Sequence, residues 1–270
     1  MWPMLNRKDV YLPLNAGRLV PAAKGEQEFD NAYRNVAEYG RMQFWDDKYL
    51  NDTEPFEWYH PYQFFRQPIL DNIPLDGLVM VAGCGSSYMV EDMVADGYEK
   101  LVGADISRVV VGQMKVRCAD LPQVSFELHD LTDTMILDDI YDGVVDKGLF
   151  DSIICSDAGE VHVMQYINEL ERITKDNGVF IIISHGNPDE RLKFLEQYDI
   201  ADSAYTPWYV DVQAVLKPEE FEGEVLDASD PKNLYFVYIC AKQVDMCRKK
   251  REAQKKKSKQ TVKRVPAPKI

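Results

Sequence analysis

The run Leu78-Val79-Met80-Val81-Ala82 stops at Gly83-Cys84-Gly85-Ser86-Ser87, and a second apolar run, Leu101-Val102-Gly103-Ala104, closes on Asp105. A buried strand, a glycine turn, a helix, and an acid at the end of the next strand make up the nucleotide-binding half of a doubly wound parallel sheet. Asp105 follows Gly85 by 20 residues, a spacing that suits a carboxylate gripping ribose hydroxyls. Gly83 and Gly85 let the backbone approach a ligand that a side chain would obstruct. A glycine turn alone also serves as a plain strand-to-helix connection, so the weight rests on the residues downstream of it.

Alternating strand and helix signals continue from there. Strands are predicted over Leu78–Ala82, Leu101–Ala104, Val124–Leu128, Gly143–Val145 and Val179–Ile183, with helices over about 87–96, 107–118, 161–174 and 189–197. Ser107 is a helix N-cap, and Asn177-Gly178 stops the helix before the last parallel strand. Two further strands, Trp208–Leu216 and Leu234–Ala241, read as an antiparallel pair separated by Pro218, Gly223 and Pro231. Five parallel strands closed by such a pair follow the plan of class I methyltransferases. They do not follow that of most nicotinamide dehydrogenases, whose second half repeats the first. Upstream, Phe29 to Tyr49 has helical spacing and is rich in aromatic residues, and Tyr62 to Ile73 is a second helix with Phe64, Phe65, Ile69 and Leu70 on its apolar face.

The chain divides on this reading into an irregular arm (1–27), a domain (28–244) and a basic tail (245–270). The domain comprises a helical cap (28–74) and a core sheet (75–244). A length of 270 residues suits one large domain with extensions. The apolar stretches are all far too short for a membrane span. The start of the chain lacks the apolar core of a secretory signal. Arg7, Lys8, Arg18 and Lys24 against Asp9 keep a mitochondrial presequence open beside the cytoplasmic reading. The cysteines, Cys84, Cys118, Cys155, Cys240 and Cys247, are odd in number and form no CxxC pair. They read as reduced thiols, most of them in apolar segments. His60, His129, His162 and His185 are scattered without metal-ligand spacing, so no metal is expected. Net charge is −14, yet the segment from Arg248 carries +10, which leaves −24 on residues 1–247. An acidic body favours a partner with a basic surface. The tail suits RNA or an acidic protein surface.

Three acids stand at successive strand ends: Asp105, Asp130 in Leu128-His129-Asp130-Leu131, and Asp146 in Val144-Val145-Asp146-Lys147-Gly148. In an open parallel sheet these ends face one crevice, and like charges gathered there repel unless a ligand offers hydroxyls, an amine and positive charge. S-adenosyl-L-methionine is such a ligand. Asp105 would accept from its ribose hydroxyls, Ile106 would lie on the adenine, Asp130 and the Leu131 N–H would meet the adenine edge, and Gly83 would lie beside the methionyl part. A dinucleotide would call for a third glycine in the turn. Tyr88 stands there instead and is expected to obstruct close helix–strand packing.

Further residues carry a family resemblance. These are Phe44-Trp45-Asp46-Asp47-Lys48-Tyr49, Pro55-Phe56-Glu57-Trp58-Tyr59, the GCGSS turn, Asp105-Ile106-Ser107 with Val109-Val110 and Gln113-Met114, and Asp146-Lys147-Gly148-Leu149-Phe150-Asp151-Ser152. Gly159-Glu160-Val161-His162 and Ser184-His185-Gly186-Asn187-Pro188 extend the series. Over about residues 30–242 the chain resembles the methyltransferase-like family that includes lysine methyltransferases of translation elongation factor 1-alpha. The resemblance implies an α/β fold with a seven-stranded Rossmann-like class I methyltransferase sheet and N-terminal helices. It implies S-adenosyl-L-methionine as cofactor and a site comprising Trp45, Tyr49, Phe56, Gly83, Cys84, Gly85, Asp105, Ile106, Asp130, Leu131, Asp146 and Lys147. Trp45 and Tyr49 would close over the cofactor, and Lys147 would meet its carboxylate or pair with Asp146. Ser86, Ala82 and Leu149 stand where relatives commonly carry Asn, Leu and Thr, and Phe56 where they often carry Tyr; these departures bear on the acceptor more than on the donor.

The expected activity is methyl transfer, most specifically to protein lysine on an elongation-factor-like substrate. Alternatives are a small-molecule acceptor or a degenerate module that serves a larger assembly. A lysine has a pKa near 10.4 and must lose a proton before it attacks. Asp146, Asp151, Glu160 and Tyr59 are the candidates for that proton. Trp58, Tyr59 and the aromatics of Tyr205-Thr206-Pro207-Trp208-Tyr209 are candidates for the walls of the acceptor slot.

Overall fold

The computed structural model describes residues 10–11, 38–196, 208–218 and 226–242. Most of the N-terminal arm, the first part of the helix expected from Phe29, the segment from Tyr205 to Pro207 and the basic tail lie outside them. One mixed sheet runs through the molecule. Its strands are β1 (Val10–Tyr11), β2 (Leu78–Ala82), β3 (Lys100–Asp105), β4 (Val124–Leu128), β5 (Tyr141–Lys147), β6 (Thr174–Ser184), β7 (Trp208–Leu216) and β8 (Leu234–Lys242). They lie in the order β1-β7-β8-β6-β5-β2-β3-β4. β2 to β6 are parallel, and β8 enters antiparallel between β6 and β7. These seven strands are the expected sheet. The two-residue β1 adds an eighth strand at the edge, parallel to β7.

The helices are α1 (Met42–Asn51), α2 (Arg66–Asn72), α3 (Met89–Ala95), α4 (Arg108–Arg117), α5 (Leu149–Ile154), α6 (Gly159–Ile173) and α7 (Pro188–Leu195). Side chains alternate across each strand. Val79, Val81, Val145, Ile181 and Ile183 pack with Tyr49, Ile69, Met93 and Met114 of α1 to α4. Met80, Ala82, Val144 and Ile182 pack with Phe150, Tyr166, Ile167 and Phe194 of α5 to α7. In α6 the buried positions Val163, Tyr166, Ile167, Leu170 and Ile173 recur every three or four residues. Each contributes about 1.5–3 kcal/mol of apolar burial, and a charged residue at Ile167 would break that face.

Several elements differ from expectation for identifiable reasons. Among the described residues, the helix predicted through Tyr49 is interrupted by a turn at Tyr39-Gly40, and α1 starts at Met42. A Cβ on Gly40 would meet the Ser156 backbone at 2.5 Å. The helix predicted over Tyr62–Ile73 divides into a 3-10 turn, Tyr62–Phe64, and α2, since Phe65 leaves the helical region at ψ 4°. β6 starts five residues early, with a register shift against β5 and Asn177 at φ +66°.

The largest correction concerns Asp146. It lies inside β5 on the face toward α5 and α6 and is fully buried. Oδ1 accepts from Leu149 N at 2.7 Å, and Oδ2 accepts from Phe150 N and from the Tyr166 hydroxyl, each at 2.9 Å. Burial pushes its carboxyl up to about 7, against the pull of the Phe150 N–H and Tyr166. Asp146 therefore starts α5, a short helix missing from the sequence reading, after Gly148 reverses the chain at φ +96°. Asp146→Ala strands two helix N–H groups and a buried phenol. It is expected to lower the unfolding free energy by about 3 kcal/mol in urea denaturation; a loss below about 0.5 kcal/mol would contradict this role.

Candidate functional site

A cavity of about 210 Å³ opens at the C-terminal ends of β2, β3 and β5, where an open parallel sheet binds ligands. Its floor is Gly83, Cys84 and Gly85, its far wall is Asp105, Ile106, Asp130 and Leu131, and Lys147 closes the near side. Trp45 and Tyr49 from α1, with Phe56 and Trp58, roof it. Eleven of the twelve residues expected around a cofactor thus border one hollow; Asp146, held beneath α5, is the exception. The three acids do not form a ring. Asp105 and Asp130 share the cavity, and Asp146 is structural.

Asp105 is nearly buried, and burial raises its carboxyl pKa above the usual range. Oδ2 accepts from Gly85 N at 3.0 Å and Oδ1 from Ser107 N at 2.9 Å. Each oxygen keeps a lone pair for a further donor. Gly85 sits at φ +52°, a conformation that favours glycine, and a Cβ there would stand 2.8 Å from the Tyr49 hydroxyl. Burial, then the nearby Asp105, lifts the Tyr49 phenol well above its ordinary range, so it stays protonated. Asp46 Oδ1 of α1 accepts from the Ser107 hydroxyl at 2.5 Å, and Gln113 of α4 donates to Tyr49 O at 2.8 Å. These bonds dock α1 over Asp105. Asp130 is exposed, and its Oδ1 accepts from Thr132 N and Oγ1. The Tyr88 ring is half exposed, with the Arg117 guanidinium 5.0 Å from its centroid. It turns outward and does not obstruct helix packing as expected.

The segment Phe56-Glu57-Trp58-Tyr59 straps the cavity. Phe56 N donates to Ser86 Oγ at 3.0 Å. Glu57 accepts from Ser87 Oγ, from Tyr88 N and from Lys147 Nζ at 2.8, 2.9 and 2.9 Å. Lys147, its side chain 5% exposed, also donates to the Trp58 carbonyl at 2.6 Å. Its partner is Glu57 and not Asp146, because alternate residues of β5 face opposite sides of the sheet. Trp58 lies directly on Gly148, where a Cβ would stand 2.2 Å from its ring. Its ring is 5.6 Å from Trp45 and 5.4 Å from Tyr39.

Of the proton-transfer candidates, Glu160 is exposed on α6 and paired with Lys193, away from the cavity lining. Tyr59 and Asp151 meet beside the cavity. The Tyr59 hydroxyl lies 2.5 Å from Asp151 Oδ2 and 2.5 Å from His185 Nδ1. Asp151 also accepts from Ser184 Oγ at 2.8 Å and from Arg191 Nη2 at 2.7 Å. Tyr59 sits at φ +65°, a conformation that costs an aromatic residue about 1–3 kcal/mol and persists only where the surroundings hold it. Sequence reasoning named Trp58 and Tyr59 but gave no role to Glu57, His129, Leu149, Ser156, His162 or Arg117. Glu57 was legible as an acid inside an apolar-aromatic run. Arg117, which holds the Ser86 and Ser87 carbonyls at 2.6 Å each, gave no signal beyond a basic residue ending α4. His162 lines the cavity in contact with Ser156 Oγ at 2.7 Å.

Comparison with known proteins agrees with this geometry. A family model described as a methyltransferase domain matches residues 78–261. EEF1A lysine methyltransferase 4 of Mus musculus is 27% identical over 170 residues, spanning 59% of this chain and 67% of that protein. The eEF1A lysine and N-terminal methyltransferase of Homo sapiens is 30% identical over 214 residues, spanning 77% of this chain and 30% of that protein. The solved phosphoethanolamine N-methyltransferase 1 of Haemonchus contortus, in complex with phosphoethanolamine and S-adenosylhomocysteine, shares the fold. It superimposes with a TM-score of 0.54 at 15% identity, covering 81% of this chain and 51% of that one. The chain belongs to the methyltransferase-domain family, as a class I S-adenosylmethionine-dependent methyltransferase.

Burial would raise the Asp151 carboxyl, but His185, Arg191 and Tyr59 bring it down to about 2. Its stabilisation is therefore present above the unfolded-chain value and lost as pH falls through about 2. A shift of this size corresponds to roughly 2 kcal/mol. Asp151→Asn leaves the Arg191 guanidinium without its counter-charge. It is expected to cost about 3 kcal/mol at neutral pH, with the gap to wild type closing between about pH 4 and pH 2 in chemical denaturation. A gap that stays constant into acid would contradict this assignment.

Proposed function

We propose that the cavity holds S-adenosylmethionine across Asp105, Ile106, Asp130 and Leu131 with its methionyl part over the glycine turn, and that the methyl acceptor is a lysine of a protein resembling elongation factor 1-alpha. The observation that carries the cofactor reading is Asp105. It is a buried carboxylate fixed by two backbone N–H groups, with unused lone pairs, beside a turn where Gly85 holds a positive φ and leaves the backbone bare. That arrangement fits ribose hydroxyls laid against bare backbone. The aromatic roof of Trp45 and Trp58 fits a sulfonium cation. When bound, S-adenosylmethionine supplies an activated methyl group. Glu57, Lys147 and the strap keep water from the cavity and orient what enters it.

The acceptor reading draws on the relatives named above as lysine methyltransferases and on charge. Residues 1–247 carry −24, which suits a basic protein surface through long-range attraction. An aromatic, partly dry slot beside Trp58 and Tyr59 favours a neutral amine over an ammonium. The same reading gives the +10 tail a contact with RNA or an acidic protein surface through counterion release.

The test is methyl transfer from labelled S-adenosylmethionine to purified elongation factor 1-alpha and to a protein extract. Mass spectrometry should locate whole methyl units on a lysine. Asp105→Ala should abolish the label and weaken S-adenosylmethionine binding by at least about tenfold in calorimetry, the scale of a lost hydrogen bond to a charged group. Label confined to small molecules would contradict the acceptor assignment. Intact cofactor binding with no label anywhere would instead favour a non-catalytic module.

A further inference from the structure

Outside the cavity, one cluster of titratable groups is organised as a relay and lies against the roof residue Trp58. The Trp58 and Tyr59 ring centroids are 6.1 Å apart, and those of Tyr59 and His185 are 5.8 Å apart. His185 follows β6, next to the end of β5 that carries Lys147 and Gly148. It stands at the C-terminal end of the sheet, the end at which the cavity opens. Its side chain is 48% exposed, whereas that of Asp151 behind it is 2% exposed.

The proton inventory of this cluster orients the imidazole. Asp151 is ionised at neutral pH and can only accept. Burial, then Asp151, holds the Tyr59 phenol well above its ordinary range, so it keeps its proton. That proton goes to Asp151 Oδ2, 2.5 Å away. Tyr59 must then accept from His185 Nδ1, also 2.5 Å away. A neutral His185 consequently carries its proton on Nδ1 and leaves Nε2 as a bare acceptor. Among the described residues Nε2 takes no hydrogen bond. The charged or titratable groups facing the imidazole are Tyr59, Asp151 at 3.3 Å, and Arg191, whose guanidinium occupies the space over Gly186 and is tied to Asp151. His60 packs on Phe64 and Tyr235, and Lys217 lies over the Tyr235 ring, behind Tyr59.

We infer that His185, oriented through Tyr59 by Asp151, removes the proton from the acceptor ammonium. The inference rests on the lysine reading above. An N–H bond of the ammonium breaks, the proton passes to His185 Nε2, and the electron pair stays on nitrogen as the nucleophilic lone pair. Asp151 stabilises the imidazolium that results, and Tyr59 transmits its charge. This arrangement also accounts for the positive φ of Tyr59, since the strap must present that hydroxyl to both partners at once. Tyr59 and Asp151 are positioning residues here, and His185 is the group that takes the proton.

The experiment compares wild type, His185→Gln and Tyr59→Phe on a lysine acceptor across pH. His185→Gln should lower kcat/KM at neutral pH by at least about 100-fold, the scale of a general base, and leave S-adenosylhomocysteine affinity within about twofold by calorimetry. Its deficit should narrow toward about pH 10, where solvent deprotonates the amine. Tyr59→Phe should show a smaller deficit and a displaced acidic limb. In wild-type protein saturated with S-adenosylhomocysteine, Nα-acetyl-lysine methyl ester should move the His185 imidazole resonance, a readout that does not require a folded variant. Unchanged kcat/KM in His185→Gln, a deficit independent of pH, or a resonance indifferent to the ester would each overturn the inference. A wild type that labels no lysine sinks the acceptor reading; a His185→Gln variant that labels lysine as well as wild type sinks only the role of His185.

Discussion

A buried ion pair between Lys147 and Glu57 joins the sheet to the strap that covers it. Lys147 leaves the end of β5 on the face away from α5, and its ammonium meets the Glu57 carboxylate at 2.9 Å with both side chains mostly out of water. Two charges removed from solvent gain little net stability from one another unless further hydrogen bonds complete them. Here they are completed. Glu57 also takes the Ser87 hydroxyl and the Tyr88 N–H, and Lys147 takes the Trp58 carbonyl. The pair therefore acts as a register pin, fixing which strap residue stands over which strand end.

The chemistry-bearing features lie downstream of that pin. With Trp58 O held by Lys147, the Trp58 ring seats on Gly148 and roofs the cavity. The next residue is driven to positive φ, and its hydroxyl reaches Asp151 and His185. The strain at Tyr59 is offset by those two bonds, with Arg191 and Ser184 satisfying the other oxygen of the Asp151 carboxylate. On the opposite side, Asp105 depends on the same logic at smaller scale, since its orientation comes from the backbone N–H groups of Gly85 and Ser107.

Much of this was legible in the sequence because it depends on local pattern. Val79, Val81 and the other unbroken apolar runs mark buried parallel strands, and an acid following such a run marks a ligand crevice. Asp105 came to border the cavity after such a run, and Asp130 did so after the mixed, mostly exposed β4. Asp146 did not, because the rule ignores which face of the strand a residue occupies. Val144 and Asp146 share one face and Lys147 takes the other, and the short helix α5 needed Asp146 for its first N–H groups. The partner of Lys147 lies 90 residues upstream, so no local periodicity could name it. Gly40 reads as an ordinary residue within a helical pattern, yet its close approach to Ser156 breaks that helix. Such contacts are set by tertiary packing, which overrides propensity.

The most direct measurement is a double-mutant cycle on S-adenosylmethionine affinity with Glu57→Gln, Lys147→Met and the two combined. If the pair pins the strap over the cofactor, the combined variant will bind no worse than the weaker single variant, giving a coupling of about 1.5 kcal/mol or more. Losses that add independently, with a coupling below about 0.5 kcal/mol, would contradict the account.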